Sequence, residues 1–186
     1  MMFDEKEKER MWYPLKSSQG NILSIREHLK KLRMIEIFLP VTKEPVVLTH
    51  GDIVIKETPW FDDIIFVRHS KSYIEELMHK DKLCSQLSFM IKKDDNGNPD
   101  IITIDDRVMQ LFIYALEVMK EHVTLLKMSD NLRRMGKRCR ILGGKLAGME
   151  GVLRRVQNIR RVYIDLNGII TAQIDSMPRN YIEILE

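Results

Sequence analysis

The spacing of apolar residues changes several times along the chain, and each change marks an element. Trp12–Leu15 is a short aromatic and apolar run that predicts a strand, with Pro14 favouring an edge or a strand start. After a loop at 17–20, Asn21 is placed to cap a helix in which Ile22, Ile25, Leu29 and Leu32 recur at helical spacing. Met34–Val41 is β-like and is punctuated by Pro40 and Pro45. Asp52–Glu57 alternates as a second strand, and Asp63–Arg68 is apolar on both faces, as a covered central strand would be. Tyr73–Lys80 carries a short helical stripe. Leu87–Lys92 and Asp100–Ile104 read as strands joined by the turn Asp95–Pro99. Asp105 is a good N-cap for a longer helix with apolar positions at Val108, Leu111, Phe112, Ala115, Val118, Met119 and His122. The order β-α-β-β-α-β-α over residues 11–122 predicts an α/β sandwich.

The period then decays. Residues 123–134 read as a linker, and 135–186 as a second, all-β domain of a size typical of a five-stranded SH3-like barrel, so that the whole is α+β. That domain opens on MGKRCRILGGKLAGMEGVLRRV. Cys139 and Ile141 alternate with Arg138 and Arg140, and four glycines follow within nine residues. Gly143 and Gly144 suit a turn of positive φ, whereas Gly148 and Gly151 let backbones pass closely. In the hairpin Arg160–Ile174 the apolar face must be shared by Val162, Ile164, Ile170 and Ala172. A two-residue Asn167-Gly168 loop would set Ile164 against Thr171. A three-residue loop, Leu166-Asn167-Gly168, pairs Ile164 with Ile170 and Val162 with Ala172, and is the expectation.

Charge sharpens this division. Residues 127–161 hold 11 Lys and Arg against 2 Asp and Glu, although the whole chain carries only +3. Such a block either faces a polyanion, RNA or DNA, or keeps a small barrel soluble. The pairs Arg154/Arg155 and Arg160/Arg161 are its centre. The first ten residues mix four acids with three bases and read as a solvated arm, not a signal peptide. No run approaches the ~20 apolar residues of a membrane span. Cys84 and Cys139 lie far apart, outside any Cys-x-x-Cys pattern, so disulfides and cysteine-ligated zinc are not expected, and a reducing cytoplasm is. The five histidines (His28, His50, His69, His79, His122) have no second ligand at metal spacing. Gly143-Gly144-Lys145 lacks the spacing of a phosphate loop, and no nucleophile–base pattern is present. The expectation is a monomeric binding protein, with no enzymatic activity, metal or cofactor.

From Trp12 to Leu185 the chain resembles the NusG family of transcription elongation factors. The resemblance rests on Trp12-Tyr13, IEIFLPV at 35–41, the Phe-x-x-x-x-Phe-Val-Arg of Phe61–Arg68, and the Gly97–Pro99 turn before IITID. It is completed by a KOW-like segment from Gly144 to Val152 and by MPRNYIEIL at 177–185. It implies a factor that rides on RNA polymerase, gripping the clamp helices of the largest subunit through an apolar depression of Phe61, Ile64 and Phe66, with Lys16 alongside. The barrel would hold nucleic acid (non-template DNA or nascent RNA), the ribosome or another regulator through Arg154, Arg155, Arg160, Arg161, Asn167 and Ile169. Two departures stand out. Phe61-Asp62-Asp63-Ile64 replaces the usual Phe-Pro-Gly-Tyr, and Asn167-Gly168-Ile169 replaces a Phe-Gly-Arg-like tip. The C-terminal stretch is similar to that of UpxY-type paralogues, which are encoded with capsular-polysaccharide operons, and implies an operon-specific antiterminator. The competing reading is a ribosome- or RNA-binding KOW protein acting in translation.

Overall fold

A computed structural model describes residues 10–32, 34–94, 96–118, 122–127 and 136–185. The expectations for the arm at 1–9 and for 128–134 lie outside these residues. Among the described residues the fold mixes three α-helices with antiparallel strands, and the chain divides into two compact units, Met1–Thr103 and Ile104–Glu186. The sequence pattern placed this division between 122 and 135.

The first unit is built on a four-stranded antiparallel sheet of order β2-β5-β1-β6. Its strands are β1 (Met11–Ser17), β2 (Glu36–Phe38), β5 (Ile64–His69) and β6 (Leu87–Phe89). Helices α1 (Ile22–Leu29) and α2 (Lys71–Lys80) supply Ile22, Ile25, Leu29 and Ile74 to one core. From the sheet come Tyr13, Leu15, Ile65 and Val67, residues that share a face because they alternate along β1 and β5. Ile65 between its neighbours explains the doubly apolar run of β5: the strand is central, with both faces covered at Ile64–Val67. Asn21 sits at the N-cap of α1 but does not cap it. Its side-chain oxygen instead accepts from Ser17 Oγ at 3.3 Å.

The single strand expected at 34–41 is split at Leu39-Pro40, and the chain continues as β3 (Val41–Val47). β3 pairs only with β4 (Ile53–Pro59), as a separate hairpin whose far half exposes Val47, Leu48, Ile53 and Ile55. The stretch 87–92 likewise breaks at Met90, and β7 (Ile91–Lys93) pairs with β8 (Pro99–Ile101) alone. The turn between them is held by Asp94 Oδ1, which accepts the amides of Asn96 and Asn98 at 2.9 and 2.7 Å.

Where β4 leaves its hairpin, Glu57 lies 2.7 Å from Arg26 of α1 and 3.1 Å from Lys43 of β3. The hydrogen bond from Arg26, followed by that from Lys43, holds the Glu57 carboxyl below its ordinary 4.5. A depressed carboxylate stabilises the fold fully above its unfolded value and stops doing so as pH falls through the lower folded value. Glu57→Gln should therefore lower the urea midpoint near neutrality by an amount equivalent to about 0.5–1 kcal/mol. The two proteins should converge as the pH drops below that range, which denaturation at a series of pH values would check.

The second unit begins with α3 (Asp106–Val118), capped as expected by Asp105, whose Oδ1 accepts the amides of Arg107 and Val108 at 2.8 and 3.4 Å. Its buried positions are Met109, Phe112 and Ala115, while Val118 is exposed. The helix falls within this unit, where Lys145 Nζ lies 4.9 Å from the centre of the Tyr114 ring. Next comes a strand in the stretch read as a linker, β9 (Val123–Lys127). It joins β10 (Lys137–Ile141), β11 (Glu150–Val156), β12 (Ile159–Leu166), β13 (Ile170–Asp175) and β14 (Ile182–Ile184) in one antiparallel sheet of order β14-β10-β11-β12-β13-β9. Residues 136–185 thus supply five strands, the number expected, and β9 from the stretch before them adds a sixth.

Parity along the β12–β13 hairpin is as expected, but the register is displaced by two residues. Leu166 pairs with Ile170, Ile164 with Ala172 and Val162 with Ile174. Asn167 and Gly168 both take positive φ and form the turn, closed by Ile169 N–H donating to Leu166 O at 3.1 Å. Ile169 is then one extra residue, and this bulge restores the apolar face that a bare two-residue turn would have inverted. The glycines also divide differently from the expectation. Gly144 and Gly148 hold positive φ, while Gly143 packs beneath the Tyr181 ring and Gly151 lies against the backbone of Tyr163.

Candidate functional site

On β1 and β5 the residues opposite the helices are Trp12, Pro14 and Lys16, and Ile64, Phe66 and Arg68. Lys16 pairs with Ile64, Pro14 with Phe66 and Trp12 with Arg68, while β2 adds Phe38 beside Phe66 and Glu36 beside Arg68. The Phe38 and Phe66 rings are tilted, with centroids 6.3 Å apart, and Arg68 Nη1 meets Glu36 Oε1 at 2.6 Å. Period two therefore does bring Lys16, Ile64 and Phe66 to one face. That face is not open: Phe66 is 0% exposed, Ile64 4% and Phe61 9%. What is open beside them is polar. A depression of about 550 Å³ is lined by Lys16, Ser17, Ser18, Gly20, Asp62, Asp63 and Ser88. Its cation, Lys16, is 58% exposed and 3.9 Å from Asp63, a weak pairing that leaves the ammonium largely in water.

In the second unit the arginine pairs are placed by the β11–β12 hairpin. Gln157 and Asn158, with φ of 47 and 67°, form a two-residue turn of the kind that matches strand twist. The resulting register sets Arg154 directly across from Arg161, and Arg155 across from Arg160. Like charges at opposed positions repel, so this arrangement costs stability unless something neutralises it. Arg161 has an acid beside it: its Nε lies 3.0 Å from Asp175 Oδ1 on β13, a charge contact without hydrogen-bond alignment. Arg154 rests with its guanidinium carbon 5.9 Å from the centre of the Tyr163 ring. Arg155 and Arg160 meet no acid among the described residues, at the end of the hairpin where the core face has run out.

The cations of β10 behave differently. Arg138 and Arg140 both reach Glu150, at 3.3 and 2.7 Å, and Arg140 also approaches Glu183 at 3.5 Å. The Arg140 hydrogen bond holds the Glu150 carboxyl below the usual carboxylate range. These two arginines are thus occupied. Of the basic block seen in sequence, Arg138 and Arg140 on β10 are neutralised, whereas Arg155 and Arg160 at the β11–β12 turn meet no acid among the described residues.

The remaining predicted positions, Asn167 and Ile169, do not join that group. They lie at the opposite end of β12, an eight-residue strand of roughly 23 Å. Ile169 is buried, its side chain filling the bulge position, and offers no contact surface. One cluster escaped the sequence reading altogether: His28 meets Asp81 and Cys84, which lie 53 or more residues further along the chain. Among the described residues no helix is long and apolar enough to cross a membrane. The chain matches no protein-family model, and no curated protein is significantly similar to it.

Proposed function

We propose that this chain is a transcription elongation and antitermination factor of the NusG type, serving a particular operon such as a polysaccharide locus. Its first unit would hold RNA polymerase and its second would hold nucleic acid or a further partner. The observation that carries the reading is the β10–β11 region followed by its arginine turn. A basic strand runs through Gly144, Gly148 and Gly151 into an apolar strand, as the KOW resemblance implies. The next turn then presents Arg155 and Arg160 with no counter-charge among the described residues. Opposed, unneutralised arginines cost the free protein stability and regain it on a phosphate backbone.

Polymerase binding through Ile64 and Phe66 would require that buried face to become accessible. Lys16 and the polar depression are the part of the region already open. The test is co-purification with the intact chain. RNA polymerase should be retained by the wild-type protein and lost with Lys16→Glu, whose thermal midpoint should be unchanged. Retention of ribosomal RNA with no polymerase would favour the translational reading instead.

For the arginine turn, Arg155→Gln with Arg160→Gln should weaken binding to single-stranded RNA or duplex DNA. It should also reduce the slope of log K against log salt by about 1.5–2, as expected for two lost phosphate contacts. Removing the opposed charges should leave the melting temperature unchanged or slightly raised. A wild-type affinity that is flat with salt would reduce these arginines to solubilising charge.

A further inference from the structure

Near the C-terminal end of α1, His28 Nε2 lies 2.6 Å from Asp81 Oδ2, in the connection that leaves α2. The other oxygen of this carboxylate, Oδ1, accepts the backbone amides of Leu83 and Cys84 at 2.8 and 3.0 Å. Those two bonds wrap residues 81–84 into a tight turn and bring Cys84 back towards the residue that starts it. The Cys84 sulfur, the His28 nitrogen and the Asp81 oxygen all lie within 4.8 Å of one another. A salt bridge joins His28 and Asp81, and the Cys84 thiol hydrogen-bonds the same carboxylate. Three donors of different kinds, a nitrogen, an oxygen and a sulfur, therefore meet at one point.

We propose that His28 Nε2, Asp81 Oδ2 and Cys84 Sγ bind one zinc ion, with water as the fourth ligand. A nitrogen, a carboxylate oxygen and a sulfur together form a donor set suited to zinc, and unsuited to calcium or magnesium, which take oxygen. The spacing is that of a knuckle: the first ligand receives amides from the second and third residues beyond it, and the third residue is itself a ligand. Those amides also fix the orientation of the Asp81 carboxylate, as outer-shell bonds do around metal ligands. Access is provided by the partly exposed His28 and Asp81 side chains, at 30% and 24%, while Cys84 closes the site from within. In tetrahedral zinc, ligand nitrogen and oxygen stand roughly 3.3 Å apart, so the His28–Asp81 contact opens by about 0.7 Å on binding. The S–H bond of Cys84 is exchanged for a zinc–sulfur bond, and its proton passes to solvent. No electrons are transferred. Burial, and then the charge of Asp81, push the free Cys84 thiol up to about 12, so the metal must displace that proton. The bound ion would tie α1 to the end of α2.

The experiment is a cobalt titration of the tag-free, metal-stripped full chain. One equivalent should give a near-ultraviolet sulfur-to-cobalt charge-transfer band and the visible bands of a tetrahedral ion, both bleached by zinc. Cys84→Ser should abolish the charge-transfer band, and Cys139→Ser should leave it unchanged. His28→Asn, a change at a partly exposed position that spares the core, should weaken cobalt binding by at least ~10-fold. The absence of a stoichiometric band in the wild-type chain would overturn the proposal. So would a band that survives Cys84→Ser, or an affinity unaltered by His28→Asn.

Discussion

Phe66→Ala is expected to destabilise the first unit by about 3–5 kcal/mol, the range for removing a fully buried phenylalanine and leaving its cavity. Phe66 is wholly buried and lies against Phe38. A loss of that size is a large fraction of the ~5–15 kcal/mol that stabilises an ordinary domain. The measurement is convenient because both tryptophans, Trp12 and Trp60, lie in this unit, so urea denaturation followed by their fluorescence reports on it. Phe66→Leu, which keeps most of the volume, should cost less than about 1.5 kcal/mol. The result also bears on function. If Phe66→Ala cost less than about 1 kcal/mol, the ring would be accessible in solution and available to a partner. A full loss would place the ring in the core, and any partner would then depend on an opening of that face.

Gly151→Val is expected to be as damaging to the second unit. A Cβ at this position would stand 2.5 Å from the carbonyl oxygen of Tyr163 and 3.3 Å from a methyl of Val162. The nearer atom is backbone in the adjoining strand, so relief requires β11 and β12 to separate, which breaks the register that places the arginines. Even Gly151→Ala should cost about 3 kcal/mol, and valine more. Gly144 makes an internal comparison. It needs its glycine for φ of +71° but has open space around it, so Gly144→Ala should cost only about 1–2 kcal/mol. Amide hydrogen exchange along β11 and β12 would separate the two cases, with protection lost in the Gly151 variants and retained at Gly144.

Where the sequence predicted structure well, a local pattern was strong enough to survive tertiary context. The double-sided apolar run of β5, the Asp105 cap of α3 and the alternation of Cys139 and Ile141 with arginines are of this kind. The β12–β13 hairpin is instructive because parity was legible and register was not. Faces follow from alternation, but the position of a bulge depends on turn geometry, and Ile169 carries no signature that separates it from Ile170. β9 was missed for a different reason. Val123-Thr124-Leu125 does alternate, but over too few residues to stand out from the decaying helix before it. The sites divide in the same way. The arginine turn could be found because its charges are adjacent in the chain. The set formed by His28, Asp81 and Cys84 could not, since no spacing rule links a helix near residue 28 to a turn near residue 81. Ile64 and Phe66 share a strand face, as their alternation predicts, but the pattern does not say whether that face is covered.

β9 also determines how this protein can be dissected. It pairs with Ile170–Ile174 of β13, whose other side is taken by β12. A fragment beginning after residue 127, which the sequence alone would recommend, strips away that partner. The backbone donors and acceptors of β13 would then line a bare edge next to Ile170, Ala172 and Ile174, a ready template for strand addition between molecules. Such a fragment would self-associate, and any affinity measured with it would be confounded by its own aggregation. A portable second unit has to start before Val123, so that β9 stays with its partner.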